Sequence, residues 1–165
     1  MKNLRILTVL SVLFVAGAAQ AAGHPVRWVG DQAPGTIVIL TEARRLYHVQ
    51  DDGTAMSYPI AVGKEGAQWK GTTSVVRKAK WPDWRPTPSM RAKDASLPQI
   101  VPGGPGNPLG ARALYLDQGL LRIHGNNKDS SIGKAASSGC FRMFNEDVEE
   151  LYGVVQPGTV VIVGD

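Results

Sequence analysis

The chain has 165 residues, 43% of them hydrophobic and 19% charged, with 19 Gly, 11 Pro and a single Cys. One globular domain accounts for that length; the apolar share excludes a disordered polymer, and the Gly and Pro content excludes a coiled coil. A formal charge of +4, from 18 Lys+Arg against 14 Asp+Glu, is too mild for a nucleic-acid binder, and one cysteine excludes a disulfide framework and every multi-thiolate zinc or iron–sulfur site.

Residues 1–21 have the layout of a secretory leader. Lys2 and Arg5 form its positive start, Ile6 to Ala18 is almost wholly apolar but too short to span a bilayer comfortably, and Ala19-Gln20-Ala21 is a small-x-small cleavage pattern. Cleavage after Ala21 is expected, leaving residues 22–165 with no stable membrane span. The leader has no twin-arginine pair, and no cysteine stands at the cleavage site to carry a lipid.

Residues 22–34 read as a lead-in with little periodicity, and His24 in it as mobile. Thr36 to Leu40, Leu46 to Val49, Ser57 to Val62 and Thr72 to Val76 are predicted strands, rich in β-branched residues and punctuated by Asp52-Gly53 and by Gly63 to Gly66. Pro59 lacks a donor and places the third strand on an edge or at a bulge. His48 alternates with Leu46 and reads as an ordinary strand histidine. Residues 81–110, with Trp81, Trp84 and most of the prolines, cannot continue a ladder. They are expected to form a long ordered loop, with a short helix near Ser89 to Ala95, acting either as a wall over a cleft or as a pad of indoles packed on the sheet. Ala113 to Leu116, Leu120 to His124 and Thr159 to Val163 complete the strands. Asn145 reads as an N-cap with Glu146 and Asp147 in the first helical turn, and Gly153 as the stop. The fold is expected to be mainly β, a single sandwich-like or barrel-like domain with one short helix after the cysteine.

Cys140 is the residue that points to chemistry. A lone cysteine in an exported chain is either inert and buried or kept for reaction. Its setting, Ser137-Ser138-Gly139-Cys140, is small and polar, and Gly139 permits a turn that aims successive backbone N–H groups at one point, as an oxyanion requires. A thiol needs a base, and of His24, His48 and His124 the last ends an apolar strand, precedes Gly125 and lies 16 residues before Cys140.

At these residues the chain resembles the L,D-transpeptidase catalytic domain, the YkuD domain. Ile123-His124-Gly125, then Ser137 to Met143 with Cys140 and Arg142 in register, then Asn145 and Asp147, match that signature, and the resemblance extends from about Gly35 to Val163. Family members often carry His where this chain has Ser138. The resemblance implies that Cys140 attacks the carbonyl between the L-centre of diaminopimelate and the terminal D-Ala of a peptidoglycan stem tetrapeptide. His124 acts as base, the Gly125 carbonyl orients it, and the backbone amides of Ser138, Gly139 and Cys140 form the oxyanion hole. Arg142 and Ser137 are expected to bind substrate; Arg142 alternatively buttresses the loop through Asp147. No cofactor and no metal are implied. The acyl acceptor is an amine of a second stem peptide or of an envelope lipoprotein, or alternatively water, as in an L,D-carboxypeptidase. With the leader, this implies secretion across the inner membrane to the periplasm or cell wall. Two other thiol enzymes fit worse: Ser-Ser-Gly-Cys does not match a sortase-like strand end, and a papain-like chain places Cys before His. A binding module without turnover has no need of both Cys140 and His124.

Overall fold

β-branched and aromatic residues are stiff at χ1 and pack well on a pleated face, and the segments that carry them form the strands. The computed structural model describes residues 23–165; the expected leader lies outside the described residues. The strands are β1 (His24–Arg27), β2 (Ile37–Leu40), β3 (Arg45–Val49), β4 (Thr54–Pro59), β5 (Val62–Gly63), β6 (Gly71–Lys80), β7 (Arg112–Leu116), β8 (Arg122–His124), β9 (Ala135–Ser137), β10 (Phe141–Arg142) and β11 (Val160–Gly164). Two helices join them, α1 (Pro88–Lys93) and α2 (Asn145–Val154), with a single 3-10 turn at Asp129–Ser131. Among the described residues no helix is long and apolar enough to cross a membrane.

Nine strands form one sheet in the order β1-β4-β3-β2-β11-β6-β7-β8-β10, and β5 pairs with β9 apart from it. β6 belongs to both halves of the large sheet. Its first residues, Gly71–Ser74, pair with β11, whereas Val75–Lys80 pair with β7, and the register shifts between Val75 and Arg77. A bulge bends a strand and steepens its twist, so the halves turn over one shared core. Ile37, Ile39 and Leu46 come from one side, Leu114, Ile123 and Phe141 from the other, and Val148 and Leu151 of α2 join them. The mainly β reading of the sequence is what the structure shows.

The structure also corrects several local expectations. The lead-in is not structureless: β1 pairs with β4, and His24 lies opposite Ser57. β4 is therefore interior to the sheet, but β1 ends at His24, so Pro59 sits beyond its partner, where no ladder hydrogen bond is lost. β9 and β10 went unread because two or three polar and mixed residues carry no period. Gly153 does not end α2. The chain leaves the helix at Val155 (φ −79°, ψ 143°), two residues ahead of Pro157.

The loop of residues 81–110 is pinned rather than loose. Trp84 and Val101 exchange backbone hydrogen bonds of 2.9 Å. Asn107, fully buried, donates through Nδ2 to the carbonyls of Pro82, Val101 and Pro102, and its Oδ1 accepts from the Leu109 N–H. Trp81 adopts φ 43°, and a Cβ on Gly103 would lie 2.0 Å from its carbonyl oxygen, so Trp81 makes a tight turn there. Asn107→Ala leaves these buried groups without partners at about 1–3 kcal/mol each. Urea denaturation is expected to show a loss of about 2–4 kcal/mol, and hydrogen exchange to show faster opening of residues 81–110 than of β2 or β7.

Candidate active site

Strand alternation puts Arg122 and His124 of β8 on one face. β10 runs parallel to β8, with Phe141 opposite Ile123 and Arg142 opposite His124. That pairing carries the turn before β10, and with it Cys140, to the end of β8. Cys140 and His124 open on the same cleft of about 290 Å³, together with Arg122, Ser138 and Arg142. Trp84, Arg85 and Met90 of the long loop form the facing wall. Of the two indoles, Trp84 lines the cleft and Trp81 does not.

His124 is 4% exposed, and its Nδ1 lies 2.6 Å from the Gly125 carbonyl. A carbonyl only accepts, so Nδ1 carries the proton and Nε2 keeps its lone pair. Burial, reinforced by the guanidinium charges of Arg142 and Arg122, pushes the imidazole pKa down to about 3 against the pull of the Gly125 carbonyl. The ring is therefore neutral at ordinary pH. Cys140 is half-buried, and its Sγ–H donates to the Leu120 carbonyl at 3.4 Å. Burial lowers the Arg142 guanidinium pKa, and the neighbouring Cys140 sulfur partly restores it, so a cation stands beside the thiol.

The turn that carries Cys140 is closed by Ser137. Its hydroxyl donates to the Cys140 carbonyl at 2.6 Å and accepts from the Gly139 N–H at 3.0 Å. At 2% exposure this side chain clamps the turn, while the residue lines the cleft. The Gly139 N–H is thus occupied, whereas those of Ser138 and Cys140 have no hydrogen-bond acceptor among the described residues. Gly139 itself is required by φ 126°, and by the Ala67 carbonyl 3.1 Å from where a Cβ would stand.

Behind His124 lies a polar knot that the sequence reading missed. Asn145 does not cap α2; Phe144 holds that position. Asn145 Oδ1 accepts from the Ala111 and Asn126 N–H groups at 2.9 and 3.3 Å, and its Nδ2 donates to the Asn126 carbonyl at 2.9 Å. Asn126, 2% exposed, donates to the Met143 carbonyl at 2.7 Å, and the Met143 N–H returns to the His124 carbonyl at 2.8 Å. A Cβ on Gly125 would fall 2.2 Å from Asn145 Oδ1, which explains the glycine after the histidine. Asp147 does not face Arg142; it accepts from the Gly23 N–H, so the proposed loop buttress is absent. His48, at 8% exposure, bonds Gln50 within the β3–β4 hairpin, far in the sheet order from β8. The alternation of Arg122 with His124 was a legible signal for Arg122; Asn145 was marked, but for a helix cap, and nothing local marked Asn126.

The fold and site thus define a β domain that presents a thiol and a buried neutral imidazole to one cationic cleft. The family model of the YkuD L,D-transpeptidase catalytic domain matches residues 34–163, and the chain belongs to that family. Among curated proteins, the probable L,D-transpeptidase ErfK/SrfK of Escherichia coli K12 is 39% identical over 139 residues, 79% of this chain and 44% of that protein. The probable L,D-transpeptidase YbiS of the same strain is 39% identical over 135 residues, 77% of this chain and 43% of that protein. The chain thus spans less than half the length of these relatives. L,D-transpeptidase 3 of Mycobacterium tuberculosis, solved with a faropenem-derived adduct, shares the fold at a TM-score of 0.61 and 17% identity, covering 79% of this chain and 60% of that one. A solved Brucella melitensis protein described as a probable carnitine operon oxidoreductase is 44% identical, with a TM-score of 0.59, and covers 85% of this chain and 91% of that one.

The depressed imidazole has a consequence for stability. Unfolded, His124 titrates near 6.5; folded, near 3. Between those values only the unfolded chain binds the proton, so the stabilisation is complete above about pH 6.5 and is lost as pH falls toward 3, at up to about 1.4 kcal/mol per unit. Burial of His48 acts in the same direction, and the raised Asp147 carboxyl in the opposite one. Urea midpoints measured from pH 7 to pH 4 are expected to fall less steeply in His124→Gln than in the unaltered protein; equal slopes contradict a buried neutral imidazole.

Proposed function

We propose that the chain is a cysteine-dependent L,D-transpeptidase of peptidoglycan stem peptides, exported by its leader to the periplasm or cell wall. The observation that carries this reading is that a buried, neutral His124, its Nδ1 committed to the Gly125 carbonyl, lines the same cleft as Cys140. Arg85, Arg122 and Arg142 line that cleft and match the carboxylates of a stem peptide.

In the proposed cycle the thiol turns from the Leu120 carbonyl toward Nε2. Burial makes a resting imidazolium unfavourable, so proton transfer to Nε2 accompanies attack of sulfur on the donor carbonyl and does not precede it. The tetrahedral oxyanion accepts hydrogen bonds from the Ser138 and Cys140 N–H groups, each donor contributing about 2.7–4 kcal/mol by general precedent. The C–N bond then breaks, His124 returns its proton to the leaving D-Ala amine, and a thioester remains. An acceptor amine from a second stem peptide, or from an envelope lipoprotein, attacks the thioester. Its proton passes through His124 to the departing sulfur, which restores the thiol.

Cys140→Ala is expected to abolish acylation by a carbapenem or a disaccharide-tetrapeptide in intact mass spectra, while the urea midpoint changes little. An adduct that persists in this variant would assign the nucleophile elsewhere. With tetrapeptide as the only substrate, a cross-linked dimer that releases D-Ala is the expected product. Tripeptide alone would make water the acceptor and the protein an L,D-carboxypeptidase.

A further inference from the structure

The turn between β7 and β8 holds an acceptor that the proposed cycle uses only as the place where the thiol rests. Leu121 closes that turn by donating its N–H to the Gln118 carbonyl at 3.0 Å, and Gly119 adopts φ 54° within it. The Leu120 carbonyl accepts two hydrogen bonds, one from Cys140 Sγ at 3.4 Å and one from Arg122 Nη1 at 2.9 Å. The nucleophile and a guanidinium thus meet on one oxygen. Arg142 of β10, Arg85 of the long loop and His124 line the same cleft, and none of them bonds that carbonyl.

Arg122 is held for this contact. Arg77, Tyr115 and Arg122 stand opposite one another across β6, β7 and β8. The Arg77 guanidinium lies 3.6 Å from the centre of the Tyr115 ring and the Arg122 guanidinium 5.1 Å from it, so the ring's quadrupole attracts both. The ion pairs among the described residues are Lys70 with Asp165 and Arg112 with Glu149. No carboxylate draws Arg122 away, not even Asp117 of the same turn.

The two donors are unequal. A thiol S–H is a weak donor, whereas a guanidinium N–H is charge-assisted and makes a bond roughly twice as strong as a neutral one. Both draw on the electron density of one oxygen, so the stronger bond weakens the other. We propose that Arg122 is a positioning residue for the nucleophile: by taking the larger share of the Leu120 carbonyl it keeps the thiol's hold there weak, and the sulfur is free to turn to His124 Nε2. Without Arg122 the carbonyl holds the thiol alone, and a bond to the protonated sulfur disfavours the thiolate. The proposal rests on Cys140 as nucleophile and His124 as its base.

The test measures alkylation of Cys140 by iodoacetamide against pH, followed by intact mass. The reagent is neutral and offers the cleft arginines no carboxylate; the thiolate displaces iodide, an S–C bond forms, and the thiol proton goes to the buffer. In Arg122→Met the midpoint of the profile is expected to rise by about half to one pH unit and the rate at neutral pH to fall about 3- to 10-fold, the size of one ordinary hydrogen bond. Arg122→Lys, whose ammonium also donates, is expected to recover most of that loss. Tyr115→Leu keeps the charge and loosens its seat; it is expected to move the midpoint the same way by less, and it decides the matter where Arg122→Met fails to fold. Arg77→Met removes a guanidinium from the same ring but not from Leu120, and is expected to leave the midpoint in place. The Arg122→Met shift is expected to persist in about 1 M salt, where charges act over only about 3 Å. An unmoved midpoint in Arg122→Met, an equal movement in Arg77→Met, or a shift abolished by salt would each overturn the proposal. Acylation of the unaltered protein by disaccharide-tetrapeptide reads the proposed function separately, so a failure there is distinguished from a failure of Arg122 to tune the thiol.

Discussion

The short hydrogen bond from His124 Nδ1 to the Gly125 carbonyl is the interaction on which the cleft's chemistry depends. It decides which ring nitrogen is left with a lone pair. The bond uses the carbonyl of the very next residue, so the backbone of Gly125 must hold one conformation while it approaches Asn145 more closely than any side chain would allow. Asn145, Asn126 and the Met143–His124 backbone bond supply that constraint from three directions. Each member is paired, which is the condition under which a buried polar network rigidifies a site instead of weakening it.

Burial gives the imidazole its neutrality, and the same burial shapes the proposed chemistry. A ring whose charged form is disfavoured does not hold a resting ion pair with a thiol; it takes a proton only as charge leaves the sulfur for the substrate oxygen. The cations around it, Arg122 and Arg142, depress the imidazole further while presenting positive charge to the cleft. One set of guanidinium groups thus serves both to keep the base free and to favour an anionic ligand.

The bend at β6 is what brings these parts together. Without the register shift near Val76 the two halves of the sheet would lie as one open layer, and the core from Ile37 to Leu151 would have no second face. The bent sheet sets β8 and β10 beside α2, whose first turn supplies both Asn145 to the histidine and Asp147 to the corner at Gly23. The helix after the cysteine is therefore a brace between the cleft and the start of the described chain.

Much of this was legible in the residues themselves. Strands with β-branched runs stand where the sequence places them, because side-chain shape and alternation are local properties. His124, Gly125, Gly139, Cys140 and Arg142 were recognisable from their order and spacing, since a turn, a thiol and an imidazole have few substitutes in that role. What the sequence by itself determined was thus the fold class and the order and spacing of the residues that carry the family signature. The tertiary structure alone decided that Ser137 closes its own turn and occupies the Gly139 N–H, that Asn145 ties loops together and caps nothing, and that Asp147 faces Gly23 and not Arg142. The physical reason is that a short polar side chain has several possible partners at similar local cost. Which one it takes depends on backbone groups delivered from distant segments: Ala111 and Asn126 in one case, and a residue 124 positions away in the other.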